Sequence, residues 1–460
     1  MKNEKIRLRK NKTSETPYTV TKAVTKGDLF TRFSILFMGL GNIVRRQFVK
    51  GLLFLILEIC YLGFMINSGF HNIYMLLSLG DRVQEEVWNE AKGIYEYTVG
   101  DNSQLILLYG IVALFITFFF VLLWREAVKS AYKAEVMLKA GKHVNTFKDD
   151  IKDLFNQNLH KLLLASPLTG ILIFTILPLV YMITMAFTDY SRVNDHLVLF
   201  NWVGLDNFIQ IFSMESSNGK TFRSVLGWTL IWAFFATFSN YILGMLLAIV
   251  INRKATRAKS FWRFCFMLSI AVPQFVSLLI MRTMLQQEGA VNVLLKNAGL
   301  ISESLPFLTD ATWARITIII INIWVGVPFT MIQVTGILQN IPSELYEAAR
   351  IDGASPFILF FKITLPYMLF VTTPYLITAF TSNVNNFNVI FLLSGGNPTP
   401  VGLTAGKTDL LVTWLYKLTV DKQYYNLGSV IGIMTFIILA IFSLLTYRNT
   451  KSYKDEEEFS

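Results

Sequence analysis

The chain has 460 residues, of which 53% are hydrophobic, 14% aromatic and only 16% charged, a richer apolar content than a water-soluble core of this size needs. That argues against an ordinary soluble enzyme and places the protein in a bilayer. The net charge of +10 reads as a signal of membrane topology and attraction to a lipid surface, not of nucleic-acid binding.

Residues 1–28 are hydrophilic and contain no apolar core, so no cleavable signal peptide is expected and the first span should stay as an anchor. Residues 29–46 mix Phe30, Phe33, Ile35, Leu36, Phe37 and Met38 with Arg32, Arg45 and Arg46, which suits a helix lying in the membrane interface; a short extra span is the alternative. A helix rising about 1.5 Å per residue needs about 20 apolar residues to cross a hydrocarbon core of about 30 Å. On that measure eight spans are expected, near 51–69, 104–124, 163–188, 226–251, 262–283, 315–338, 368–392 and 427–447.

Basic residues resist translocation, so they mark the cytoplasmic side. The first 50 residues carry twelve Lys and Arg against three acids, the connection 125–161 is also basic, and 253–263 holds Arg253, Lys254, Arg257, Lys259 and Arg263 with no acid. The segments 70–103 and 285–314 are acidic on balance, the first through Asp81, Glu85, Glu86, Glu90, Glu96 and Asp101. Both termini are therefore expected in the cytoplasm. The acidic tail 455–458 is expected to be merely solvated.

Within the spans, Glu58 is a lone carboxyl. A proton-coupled carrier would use it as a relay, but no internal repeat of the kind such carriers often show is evident. The expected state is neutral or paired with a neighbouring helix. Cys60 and Cys265 lie in apolar segments with no disulfide or metal spacing and read as inert thiols.

Amides interrupt the hydrocarbon at Asn322, with Gly326 and Pro328, in the sixth span, and at Thr381, Ser382, Asn383, Asn385, Asn386 and Asn388 in the seventh. In lipid such groups should face the bundle interior or a wet cavity. Sugars suit that lining, because hydroxyls exchange donor and acceptor bonds with Asn while apolar ring faces stack on aromatics such as Phe329 or Phe387. Hydrogen-bonded glue between helices is the structural alternative.

Catalytic chemistry is not evident. His71, His143, His160 and His196 are scattered, and no nucleophile elbow or dinucleotide fingerprint occurs. Gly406-Lys407-Thr408 resembles the end of a phosphate loop, but Val401 stands where that loop needs glycine. No cofactor or metal is expected, and any nucleotide that powers the protein should bind another chain.

The most specific pattern is polar and lies between two apolar segments. Pro342 suits a first helical turn, Glu344 and Glu347 favour the positive end of a helix dipole, and Gly353 can supply a left-handed stop. Ser355 and Pro356 then start a second short helix. With Ala348, Ala349 and Asp352, and the ending Lys362-Ile-Thr-Leu-Pro366, this stretch resembles the EAA loop of binding-protein-dependent ABC importer permeases.

The resemblance covers most of residues 160–448. It includes Ser166-Pro167, Phe174, Pro178 and the segment from Val203 to Phe208. Asn322-Ile-Trp324-Val-Gly326-Val-Pro328-Phe329, Asn385-Asn386-Phe387 and the stretch Ala405 to Asp409 are most similar to the MalF-like subunit of maltose and maltodextrin importers. Enterobacterial members carry a large domain between the third and fourth spans, whereas here ~35 residues separate them, as in Gram-positive-type permeases.

The resemblance implies an all-α polytopic fold of about eight transmembrane helices of the ABC importer type I kind. It divides the chain into accessory residues 1–160, a core 161–450 carrying the coupling loop 343–366, and a charged tail 451–460. It implies a bacterial cell-membrane subunit that performs no bond chemistry. The expected partners are a MalG-like second permease, an ATPase dimer docking on Glu344, Glu347, Ala348, Ala349, Asp352 and Gly353, and an extracellular sugar-binding lipoprotein. Its sugar contacts would be Asn322, Gly326, Phe329, Asn383 and Asn386 for a maltodextrin substrate, or another sugar or polyol, with Ala379 at a position that is polar in the family.

Overall fold

The computed structural model describes residues 18–448 apart from Ala91, Asn194, Asp195 and Lys254. The basic residues ahead of Tyr18, Lys254 and the acidic tail 455–458 lie outside the described residues. The described chain packs as two compact units, residues 18–184 with 196–202 and residues 185–193 with 203–448.

In the first unit, α1 (Val20–Lys26), α2 (Leu29–Phe33) and α3 (Leu40–Val44) precede the first span, α4 (Phe48–Met75). The single interfacial helix expected over 29–46 is therefore two pieces. The chain reverses at Gly39, whose φ is +83°, and a Cβ there would stand 2.2 Å from the Gly51 carbonyl oxygen, so only glycine fits. Beside this reversal the Met38 amide donates to the Glu58 carboxylate at 2.7 Å, which gives the lone intramembrane acid a backbone partner. Leu29, Phe30, Phe33, Leu36 and Phe37 stay exposed, as an interfacial segment requires.

Arg45, in contrast, is turned inward and not toward headgroups. Its guanidinium meets Asp28 at 2.7 Å and Glu135 at 3.6 Å and donates to the Gly41 and Ala131 carbonyls. The burial is tolerable because the charge is paired and both terminal guanidinium nitrogens are hydrogen-bonded.

A two-stranded antiparallel hairpin, β1 (Glu86–Asn89) and β2 (Ile94–Tyr97), follows the first span and was not anticipated. Trp88 pairs with Tyr95, and the two rings meet edge to face at 5.0 Å. The unit continues with α5 (Ser103–Lys139), α6 (Phe147–Phe155) and the third span α7 (Leu159–Met185). The Tyr181 hydroxyl of α7 donates to the Gln104 carbonyl of α5 at 3.4 Å.

The second unit comprises α8 (Asp206–Phe212), α9 (Ser217–Asn252), α10 (Lys259–Ala271), α11 (Gln274–Met284), α12 (Ala290–Asn297), α13 (Ala311–Leu338), α14 (Ser343–Ile351), α15 (Pro356–Leu359), α16 (Leu365–Val384), α17 (Phe387–Leu393), α18 (Leu411–Tyr416) and α19 (Tyr425–Arg448). Its centre is the close pairing of α9 with α13. Gly244 permits it, since a Cβ there would lie 2.6 Å from Thr330 Cβ. Trp232, Ala233, Ile318 and Val389 form the buried core beside this contact.

Seven helices of the described chain are long and apolar enough to cross a membrane, and an eighth span is formed if α10 and α11 are taken together. The fifth span, expected over 262–283, is a broken pair of helices. It is bent by 82° at Val272-Pro273, because proline offers no amide to the preceding turn and drives Val272 into an extended conformation (φ −79°, ψ 125°). The seventh is interrupted at Asn385, after which Asn386 starts α17.

The loop 394–410 is organised by Asp409, which is fully buried and accepts the Gly406 amide at 2.6 Å and the Thr413 hydroxyl at 2.9 Å. The Lys407 carbonyl accepts from Arg315 and the Thr408 side chain is buried. Gly406-Lys407-Thr408 is thus committed to loop packing.

Candidate functional site

The break at Pro273, the stop at Asn385 and one face of α13 open a cavity of ≈ 440 Å³ inside the second unit. On α13, Asn322, Gly326, Phe329 and Thr330 recur at helical spacing and so share one face. Thr237 and Asn240 come from α9, Ser269 from α10, Gln274 and Ser277 from α11, and Tyr375, Ala379 and Asn383 from α16. Asn386 closes one side. Among the described residues, no Asp, Glu, Lys, Arg or His lines the space.

All five residues expected from sequence to line a passage meet here, but their local roles differ. Asn386 caps α17, its Oδ1 accepting the Val389 amide at 3.2 Å, and its Nδ2 donates to Asn383 Oδ1 at 3.4 Å. Asn383 in turn donates to Thr237 Oγ1 at 3.0 Å, and its carbonyl accepts the Trp232 indole. These two amides therefore belong to a helix-to-helix network as well as to the wall. Asn322 is only 5% exposed, and its Nδ2 has no hydrogen-bond partner within the described structure. Phe329 and Trp324, each about half exposed, are the large aromatics beside Tyr375 in the wall.

Other polar residues of the seventh span separate. Thr381 and Asn385 line a second, largely apolar depression with Thr435 and Ser443, while Ser382 and Asn388 are exposed and line neither. Phe387 does not face the cavity. It stacks on Phe391 at 4.7 Å and packs against Tyr416 at 5.1 Å, because the stop at Asn385 redirects the chain.

The loop 343–366 is a helix, a sharp turn and a second helix. Gly353 takes φ +78°, and Ser355 Oγ accepts the Ile358 amide to start α15 with Pro356 in its first turn. Glu344, Glu347, Ala348 and Asp352 are exposed and Ala349 is half-buried. Tyr346 anchors the underside, its hydroxyl 2.9 Å from Thr364 Oγ1.

Residues 240–451 match the family described as binding-protein-dependent transport system inner membrane component. Over nearly its whole length the chain is 35% identical to the galactooligosaccharides transport system permease protein GanP of Bacillus subtilis, covering 91% of this chain and 96% of that one. It is 33% identical to the maltodextrin transport system permease protein MdxF of the same organism, with 96% and 99% covered. The chain belongs to this family of ABC importer permeases.

The permease is thus a multi-pass membrane transport subunit and not an enzyme. To the maltose/maltodextrin permease MalF of Escherichia coli K12 it is 36% identical over 254 residues, 54% of this chain and 49% of that one. Among solved structures it resembles a chain of a bacterial ABC transporter involved in the import of the acidic polysaccharide alginate, with TM-score 0.52 and 25% identity over 65% of this chain and 99% of that chain.

Sequence reasoning missed Asn240, Gln274 and Ser277 as wall residues of the permease. Asn240 is a single amide within an apolar run and Gln274 directly follows a proline within one. Either could have been flagged by the cost of a lone amide in lipid.

Proposed function

We propose that this permease carries neutral oligosaccharides of the maltodextrin type across the bacterial cell membrane, powered by a separate ATPase. The observation that carries this reading is the uncharged cavity wall, which joins amides and hydroxyls to exposed Phe329 and Trp324. Amides serve sugar hydroxyls and aromatic faces serve sugar rings. An anionic uronate would enter without a counter-charge in a low-dielectric site, at a high desolvation cost. That separates this cavity from a purpose like that of the alginate importer. A galactooligosaccharide cargo is the second reading, favoured by the likeness to GanP over 91% of the chain.

In this reading Asn322, Gly326, Phe329, Asn383 and Asn386 lie at the sugar site, and residues 161–450 act as the transporting core with 1–160 accessory to it. A sugar-binding lipoprotein delivers cargo from outside. The exposed Glu344, Glu347, Ala348, Asp352 and Gly353, with Ala349, meet the ATPase dimer, a second MalG-like permease completes the passage, and both termini are cytoplasmic. Closure of the ATPases moves the loop 343–366 and rocks the spans between inward and outward access.

The test is uptake by the complete complex in liposomes with ATP inside, offered maltotriose, a galactotriose and a uronate trimer. ATP-dependent uptake of a neutral trimer that survives a proton ionophore, with the uronate excluded, is expected. Uptake of the uronate, or uptake that needs a proton gradient and no ATP, overturns the reading.

A further inference from the structure

Asn240 sits about two-thirds of the way along α9 with its amide in a defined orientation. Its Nδ2 donates to the Ala236 carbonyl at 2.8 Å, and the reverse orientation would set two acceptors against each other. The Oδ1 atom is therefore turned the other way, where it is shielded from solvent and has no hydrogen-bond partner in the described structure. Directly opposite on α13 stands Gly326, where a Cβ would lie 2.3 Å from Asn240 Nδ2 and 2.9 Å from its Oδ1.

Gly326 occupies a helix interior, where glycine is less favourable than alanine, and its φ is not in the left-handed region. Backbone conformation does not call for glycine there; the Asn240 amide does. One turn earlier on the same helix, the nine-tenths-buried Asn322 presents an Nδ2 that also has no partner. The two residues that carry this lone acceptor and lone donor thus line one cavity from facing helices.

From this geometry we infer that Asn240 is a specificity-determining residue of the permease: its Oδ1 accepts from a hydroxyl of the bound sugar, beside the Asn322 donor. Gly326 is a positioning residue that makes room for the Asn240 amide. A hydroxyl both donates and accepts, so a vicinal pair of sugar hydroxyls can satisfy both amides. An analogue lacking the donor hydroxyl leaves the buried oxygen unpaired and is penalised, which is how polar sites reject near-isosteres. The inference rests on the oligosaccharide reading.

The experiment measures half-saturating concentrations for uptake by the complete complex in liposomes, using the imported neutral trisaccharide and its monodeoxy analogues. In the wild type one analogue should require about tenfold more sugar or beyond. Asn240→Ala, and Asn240→Ser as a smaller change, should raise the requirement for the parent sugar about tenfold and erase the discrimination against that one analogue while keeping the others. Gly326→Ala should have the same effect alone and add nothing to Asn240→Ala.

Equal half-saturation for parent and analogues in wild type and Asn240→Ala overturns the inference, as does a uniform rise for every sugar, which is the signature of a packing role or a structural water. A Gly326→Ala effect that adds fully to Asn240→Ala overturns the positioning role. A wild-type complex that imports no oligosaccharide overturns the functional reading itself, an outcome distinct from either.

Discussion

Lys417 Nζ lies 2.7 Å from a carboxylate oxygen of Asp409, and the Asp409 side chain is wholly buried. The pair holds the loop 394–410 in shape, since the same carboxylate gathers the Gly406 amide and the Thr413 hydroxyl. Gly396 is part of the same construction, because a Cβ there would fall 1.9 Å from Asp409 Oδ1. Removing one member of a buried pair strands the other, at a cost of about 3–5 kcal/mol. Lys417→Met should therefore lower the unfolding temperature of the purified complex more than Lys417→Met combined with Asp409→Asn. Equal melting temperatures for the two would show that the ion pair does not hold the loop.

Orientation can be read chemically. Ser260, in the first turn of α10 within the basic stretch 253–263, and Ser302, in the acidic connection before α13, are both exposed. Single cysteines at these positions, in a background lacking Cys60 and Cys265, should react with an impermeant reagent from opposite sides of intact membranes. Labelling of both from outside defeats the proposed topology.

The coupling turn makes a sharper demand. Beyond Gly353 and its two chain neighbours, no atom of the described residues lies within 4 Å of where a Gly353 Cβ would stand, so an added Cβ meets no clash and a substitution acts first through the backbone at φ +78°. Gly353→Val should strain the turn by about 1–2 kcal/mol and shift Glu344 and Glu347 relative to an ATPase surface. Sugar-stimulated ATP hydrolysis and uptake should collapse while the protein still inserts and assembles. Intact stimulation in both Gly353→Val and Glu347→Ala would remove the coupling role.

Among the wall residues, Asn322 offers a cleaner substitution than Asn386. Asn386→Leu also deletes the cap of α17, worth about 1 kcal/mol of stability by itself. Asn322→Leu removes an amide whose Nδ2 has no partner in the described structure, and should raise the half-saturating sugar concentration by an amount equivalent to about 1–3 kcal/mol. Normal protein levels with unchanged uptake of every neutral oligosaccharide would return Asn322 to interhelical packing.

Much of this architecture was legible because bilayers impose simple rules. Apolar length located the spans, and the run from Pro342 to Pro366 announced its own turn through Gly353 and Ser355. Composition hides the places where a helix changes direction. Residues 262–283 are apolar enough for a straight span, and only Pro273 hinted at an 82° bend. Phe387 looked like a platform for sugar because the stop at Asn385 was not foreseen. Arg45 looked interfacial because one of its two acidic partners, Glu135, lies 90 positions away in sequence. The hairpin at Glu86–Asn89 and Ile94–Tyr97 escaped because four-residue strands are shorter than the windows that find spans.

The carboxylate of Glu58 answers a backbone N–H and so asks nothing of the side chain at position 38. Every amino acid except proline can present that amide. Met38 is fully buried, which leaves volume as the criterion for exchange there. Position 58 must supply an acceptor of the right reach, and position 39 must have no side chain at all. Over evolutionary time the three sites should drift under separate rules: apolar residues of similar size trading freely at 38, only glycine at 39, and at 58 a choice confined to side chains that end in an oxygen.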